Sequence, residues 1–234
     1  MGLVLAHSSH DPAQLTSLSE YVTRMTESQE TIYYLTGPTI ETVRHSPQAE
    51  AFLDKGYEVL FFADPVDEIW LRHAPEFEGK RWQSVGRGTV AVGSDAERKA
   101  AEAKLREQSQ NHESLLKAIH EHLKDIVKEV RLTNRLTSSP ACLVGEQDDL
   151  PPQIVEMLRR AGQDVPDVKR VLELNPDHPV TRRLLERFEH DHDQSTVGEF
   201  ATLLHGQAVL AEGGQLRDPA EFSKQLASLM ERAI

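Results

Sequence analysis

The sequence predicts an α/β unit followed by an α+β unit that ends in a helical hairpin, and three observations carry that expectation. Between residues 31 and 85, short β-branched and aromatic runs alternate with helical stripes, the pattern of a parallel α/β unit. From Gly86 to about Asn111 the composition shifts, first to glycines and then to Ala, Glu, Lys and Arg, which marks a boundary. From Ser195 to Ile234, two amphipathic patterns flank Gly213-Gly214.

Residues 1–16 show no period and read as a leading arm. Ser17 opens a short helix, with Glu20 completing a capping box and Tyr21, Val22 and Met25 on one side. Thr31 to Thr36 reads as a strand ended by Gly37-Pro38. Thr39 to Lys55 is helical, with a break before Pro47 and a stop at Gly56. Tyr57 to Phe62 is a nearly all-apolar strand, as expected when both of its faces are covered. Asp64-Pro65 starts a helix through Val66, Ile69 and Trp70, and Trp82 to Val85 is extended. The first unit therefore spans 17–93, and 94–111 reads as a linker leading into a helix. From 112 the second unit begins. A stripe of Leu115, Ile119, Leu123 and Ile126, with Val127 beside it, predicts a helix to Glu129. Strands follow at 130–133, 141–144 and 171–174. A helix with Pro151 and Pro152 in its first turn occupies 150–161, and another begins at Asn175-Pro176.

The closing hairpin holds more apolar surface than one chain needs. Thr196 and Glu199 suggest a capping box on the first helix, while Asp218 and Pro219 start the second. Val197, Phe200, Leu204, Ala208 and Ala211 share one stripe, widened by Leu203, Val209 and Leu210. Phe222, Leu226, Leu229, Met230 and Ala233 share another. Two such helices, each roughly 24 Å long, either complete a four-helix bundle with a second copy or dock on their own domain.

Composition excludes several classes. A net charge of −12 argues against nucleic acid as the main partner, which would require clustered Lys and Arg. No apolar run approaches the roughly 20 residues of a membrane span, and the N-terminal residues lack the basic region of a signal peptide. Cys142 is the only cysteine, which suits a reducing, cytoplasmic compartment.

Chemistry-bearing motifs are scarce. Gly86-Arg87-Gly88-Thr89 lacks the spacing of a phosphate loop. The run Glu189-His190-Asp191-His192-Asp193 reads as a solvated acidic loop rather than a metal site, and His120 and His122 lie on different sides of one helix. Asp64, Asp67 and Glu68 suit a helix N-terminus better than acid/base work, and Cys142 reads as a structural thiol. On 150–161, Leu150, Ile154, Met157 and Leu158 form an adaptable apolar face fit for binding or for core. The sequence thus favours an interaction module. The competing classes are an α/β enzyme using Asp64, Asp67 or the His190 run, and a stand-alone dimeric scaffold.

Several segments in one order carry a resemblance: Ser17-Leu-Ser-Glu-Tyr-Val-Thr-Arg-Met25, Ile32-Tyr-Tyr-Leu-Thr36, Gly56-Tyr-Glu-Val-Leu60, Asp67-Glu68, Glu76-Phe77-Glu78-Gly79-Lys80, Gln83-Ser84-Val85, Val130-Arg-Leu-Thr133 with Arg135-Leu136, and Glu173-Leu-Asn-Pro-Asp-His-Pro179. Together they resemble the ninety-kilodalton heat-shock-protein chaperones, most closely the bacterial HtpG branch. The resemblance implies a C-terminal fragment: the small α/β/α end of the middle domain, then the dimerisation domain at 112–234. Residues 1–6 fall outside it and read as foreign to the family. It implies that ATP and Mg are handled by parts of the full-length family without a counterpart here, so that this chain has no cofactor and no ATPase activity of its own. It implies a homodimer through Phe200, Leu203, Leu204, Ala208, Ala211, Phe222, Leu226, Leu229 and Met230, forming a four-helix bundle. It also implies that non-native client proteins are bound through Leu150, Ile154, Met157, Leu158, Ile69 and Trp70. The end Glu231-Arg-Ala-Ile234 lacks the acidic tail that recruits tetratricopeptide-repeat co-chaperones.

Overall fold

A computed structural model describes residues 4–26, 29–89, 92–147, 149–150, 152–165, 168–191 and 194–233. The N-terminal lobe holds β1 (Leu5–Ser8), β2 (Leu15–Ser17), α1 (Leu18–Arg24), β3 (Thr31–Thr36), α2 (Ile40–Arg44), a 3₁₀ turn at Pro47–Ala49, α3 (Glu50–Asp54), β4 (Leu60–Phe62), α4 (Pro65–His73), β5 (Glu76–Phe77) and β6 (Lys80–Ser84). These strands form one sheet in the order β2-β1-β4-β3-β6-β5. β3 pairs in parallel with both β4 and β6, and the outer strands are antiparallel. The chain steps from β3 to β4 through α2 and α3, then back across β3 to β6 through α4. Right-handed crossovers in opposite directions put these helices on opposite faces. Alternate residues of β3 follow suit. Tyr33 and Leu35 pack with Val43 and Phe52, whereas Ile32 and Tyr34 pack with Leu18, Tyr21 and Leu71.

The predicted caps form: Ser17 with Glu20, and Asp64 with Asp67, each make reciprocal capping boxes. The leading arm is corrected. Residues 5–8 and 15–17 are strands β1 and β2, and β1 lies against β4 inside the sheet. They are too short and polar to show a period, and the sheet supplies the pairing they lack locally.

α5 (Asp95–Asn111) is one continuous helix with no buried residue, capped by Ser94 and Glu97. It leads into the second lobe: α6 (Glu113–Leu123), β7 (Val127–Leu132), β8 (Ala141–Val144), α7 (Pro152–Arg160), β9 (Arg170–Leu174), α8 (Pro179–Asp191), α9 (Gln194–Ala211) and α10 (Pro219–Ala233). The sheet order is β7-β9-β8, with β7 and β9 parallel. α6 stops at Leu123, short of Glu129. A bulge between Val127 and Glu129 leaves Val127 and Val130 both buried. That spacing of three imitates a helical stripe in a strand. One core fills this lobe, joining Leu115, Ile119 and Leu123 of α6 to Leu172 and Leu174 of β9 and to Val197, Ala201, Leu204 and Ala208 of α9.

Candidate functional site

The terminal hairpin turns at Gly213, whose φ of 74° is the left-handed conformation of a helix C-terminal cap. Asp218 Oδ1 accepts the Glu221 N–H at 2.9 Å and so caps α10. α10 returns along α9, where Phe222 lies against Gly206; a Cβ there would stand 2.6 Å from the ring. Near the far end, the Arg232 guanidinium donates to Glu199 at 2.7 Å. The helix start predicted at Thr196 is corrected, since α9 already includes Gln194 and Thr196 lies inside it.

The two helices then differ. Leu204 and Ala208 of α9 are buried in the core of their own lobe, so they are not surface available to a second copy. This corrects the expectation for both: α9 turns that stripe toward α6 and the β7-β9-β8 sheet, where β7 and β9 already present an apolar face. Phe200 packs half-buried against the same core, while Leu203 and Ala211 are half-buried. No described side chain of α10 is buried. Leu226 is 41% exposed and Met230 58%, with Phe222 and Leu229 half-buried beside them, and Leu210 of α9 is exposed.

A second apolar surface joins the lobes. α4 packs beside α7, and the Arg72 guanidinium donates to the Asp149 carbonyl at 3.2 Å. Val66 and Ile69 point outward from α4, Ile69 at 46% exposure. On α7, Val155 turns inward, Ile154 and Leu158 are half-buried, and Met157 is 42% exposed; Leu150 just before the helix is also exposed. Trp70 is corrected. Its ring stands edge-on to Phe62 and Trp82, at centroid distances of 5.6 and 5.4 Å. Its Nε1–H donates to Asp67 Oδ1 at 2.9 Å. A residue so engaged packs its own lobe, and its neighbour Ile69 takes the outward position.

The alternative chemical sites are otherwise occupied. Asp64 and Asp67 are used in capping and by Trp70. Glu68 is buried and accepts from Thr36 and Arg87. Burial, then the Glu173 charge, pushes the Cys142 thiol up, away from nucleophilic reactivity. The acidic run is corrected in part: Glu189 to Asp191 continue α8 rather than forming a loop, and His192 and Asp193 lie outside the described residues. Among the described residues, no helix is long and apolar enough to cross a membrane. A cleft of about 1080 Å³ beside α6 is lined by Leu116, Phe188 and charges of both signs.

Sequence reasoning missed the exposed Leu210 as a separate element of the surface and the meeting of α4 with α7. The second is a tertiary contact without local signal.

The Hsp90 protein family model matches residues 1–234, so the first six residues belong to the match rather than standing apart from it. The chain is 45% identical over 234 residues to chaperone protein HtpG of Frankia casuarinae, covering 100% of this chain and 36% of that protein. It is 47% identical to the HtpG of Nocardia farcinica, covering 97% of this chain and 36% of the relative. For the HtpG of Mycobacterium leprae the identity is 46%, covering 97% and 35%. The chain thus spans about a third of the length of the curated relatives it matches. A family match over the whole chain means that it belongs to the Hsp90 family.

Proposed function

We propose that this chain is the self-associating and client-contacting C-terminal portion of an HtpG-type chaperone. α10 would meet its copy in a second chain and complete a four-helix bundle. The α4–α7 surface would hold non-native polypeptides, and ATP and Mg would act in other parts of a full-length, cytoplasmic protein. The observation that carries this reading is α10 itself. A helix of 15 residues that meets its own chain through Phe222 and has no described buried side chain leaves Leu226 and Met230 of its apolar stripe uncovered. Closing it with a second copy about a twofold axis covers the same stripe on both. A stable dimer of this type should bury on the order of 2,000 Å² or more.

The α4–α7 surface has the chemistry of loose recognition, with an unbranched, polarisable Met157 among aliphatic side chains and polar groups around them. Leu226→Asp places a charge where the second copy would pack. The expected result is a folded monomer by light scattering and an unchanged circular dichroism spectrum; a dimer of undiminished affinity would remove α10 from the interface. For the other surface, Ile154→Ser with Met157→Ser should weaken suppression of a model protein's aggregation at least severalfold while the melting temperature stays within a few degrees. Parallel loss of fold and binding would return α7 to the core.

A further inference from the structure

The α4–α7 surface draws its two halves from different lobes, so its shape depends on how the lobes are held. The seam between them is polar and buried. Arg135 lies at its centre, only 2% exposed. Its Nε donates to Glu173 Oε2 at 2.9 Å, its Nη2 to the Gly88 carbonyl at 2.6 Å, and its Nη1 to the Val85 carbonyl. Its own carbonyl accepts the Ala51 N–H at 3.1 Å. Glu173, equally buried, gives its other oxygen to Arg131 at 2.7 Å. Two further contacts cross the same seam. The Glu50 carboxylate accepts the N–H groups of Thr137, Ser138 and Ser139, and Gln48 donates to Leu143 and Glu212.

From the segment held by Arg135, contacts run on to both halves of the surface. The Arg87 guanidinium donates to Glu68 on the buried side of α4 at 2.6 Å. The Arg87 backbone bridges to Gly145, and the Gly88 N–H donates to the Gly145 carbonyl at 2.9 Å. The chain continues from Gly145 to Asp149, which accepts from Arg72 of α4, and then to Leu150 and α7.

A buried ion pair is a poor source of net stability, because desolvation offsets the attraction and an apolar pair of equal volume often does as well. A guanidinium adds direction: its donors leave a rigid plane at fixed angles. Here the donors of Arg135 reach acceptors on both lobes, and one lobe orientation satisfies them all. We infer that Arg135 and Glu173 are positioning residues for the α4–α7 surface, a clasp that fixes the angle between the lobes and so the spacing of Val66 and Ile69 from Leu150 and Met157. The inference rests on the client-contacting reading above.

The test compares four variants of the 234-residue chain, of which Ile69→Ser serves as a second probe of the surface. Arg135→Met/Glu173→Leu removes both charges of the clasp at once. Arg135→Lys keeps the charge without the fork, and Met157→Ser alters the surface alone. Spin labels at Thr23→Cys on α1 and Arg183→Cys on α8, both exposed positions, read the distance between lobes by double electron–electron resonance. Excess unlabelled chain keeps each measured pair within one molecule, and the buried Cys142 does not take the label. Reduced, carboxymethylated α-lactalbumin, a permanently unfolded polypeptide, reports binding by fluorescence anisotropy. Both clasp variants should broaden the distance distribution. Affinity should fall about tenfold in the double variant and about threefold in Arg135→Lys, with circular dichroism retained. Met157→Ser should lower affinity at unchanged width. A folded double variant with native width and affinity overturns the inference; if it does not fold, Arg135→Lys decides on the same two readouts. Native affinity in both Met157→Ser and Ile69→Ser would overturn the surface reading instead, while the width still judges the clasp.

Discussion

α9 and α10 are neighbours in one hairpin with similar apolar stripes, yet they sit in opposite environments. α9 inserts Val197, Ala201, Leu204 and Ala208 into the lobe core. α10 rests on α9 through Phe222 and leaves Leu226 and Met230 open. Amphipathic spacing says that a face must be covered and does not say by what. The sharpest break in this comparison is a pair of identical substitutions. Leu204→Asp buries an unpaired carboxylate among apolar side chains, which should cost about 4 kcal/mol or more and unfold the C-terminal lobe. Leu226→Asp should cost less than about 1 kcal/mol of chain stability and act on self-association alone. Urea unfolding beside light scattering separates the two; equal loss of stability would mean that α10 is as much core as α9.

α4 repeats the contrast between adjacent residues. Trp70 contacts Phe62 and Trp82, whereas Ile69 is open to solvent. Trp70→Ala should destabilise the first lobe by about 3 kcal/mol, lower than for a fully buried ring because Trp70 is half-buried. Ile69→Ser should stay within about 0.5 kcal/mol. Thermal melts followed by Trp fluorescence and circular dichroism compare them. A larger effect at Ile69 would reverse the assignment of core and surface on this helix.

Much of the fold was legible because its signals are local. The Ser17/Glu20 box, the Asp64 cap, the β3 run and the Gly56 stop each lie within a few residues of what they determine. The misreadings have nonlocal causes. β1 and β2 are defined by pairing with β4, and the bulge in β7 reproduces a helical spacing. For the candidate surfaces, residue type was legible and direction was not. Leu204 and Leu226 differ only in what lies opposite them, and Trp70 is held by rings from elsewhere in the chain. Arg135 stood in one of the family-like segments, but nothing in the sequence showed its role, since its acceptors at Val85, Gly88 and Glu173 meet it only after both lobes have folded.

An effect smaller than that of either core substitution tests whether acid reaches the two hairpin helices unequally. His205 of α9 has its imidazole pKa lowered to about 4, first by burial and then by the charges of Arg170 and Arg217. In the unfolded chain it titrates near 6.5. As pH falls through 6.5, the unfolded chain takes up a proton that the folded chain refuses until about 4, so stability declines across that window. With the group partly exposed, the loss is discounted to about 1 kcal/mol. Glu97, held near 2 first by Lys55 and then by the Ser94 donors, acts in a lower window, between its ordinary 4.5 and 2. His205→Gln should therefore flatten the decline in urea midpoint between about pH 7 and pH 5 while leaving the steeper loss at lower pH in place. α10 carries no histidine, so self-association through it should persist over the interval in which α9 loosens. Equal acid sensitivity of the native chain and His205→Gln would place the titrating group elsewhere.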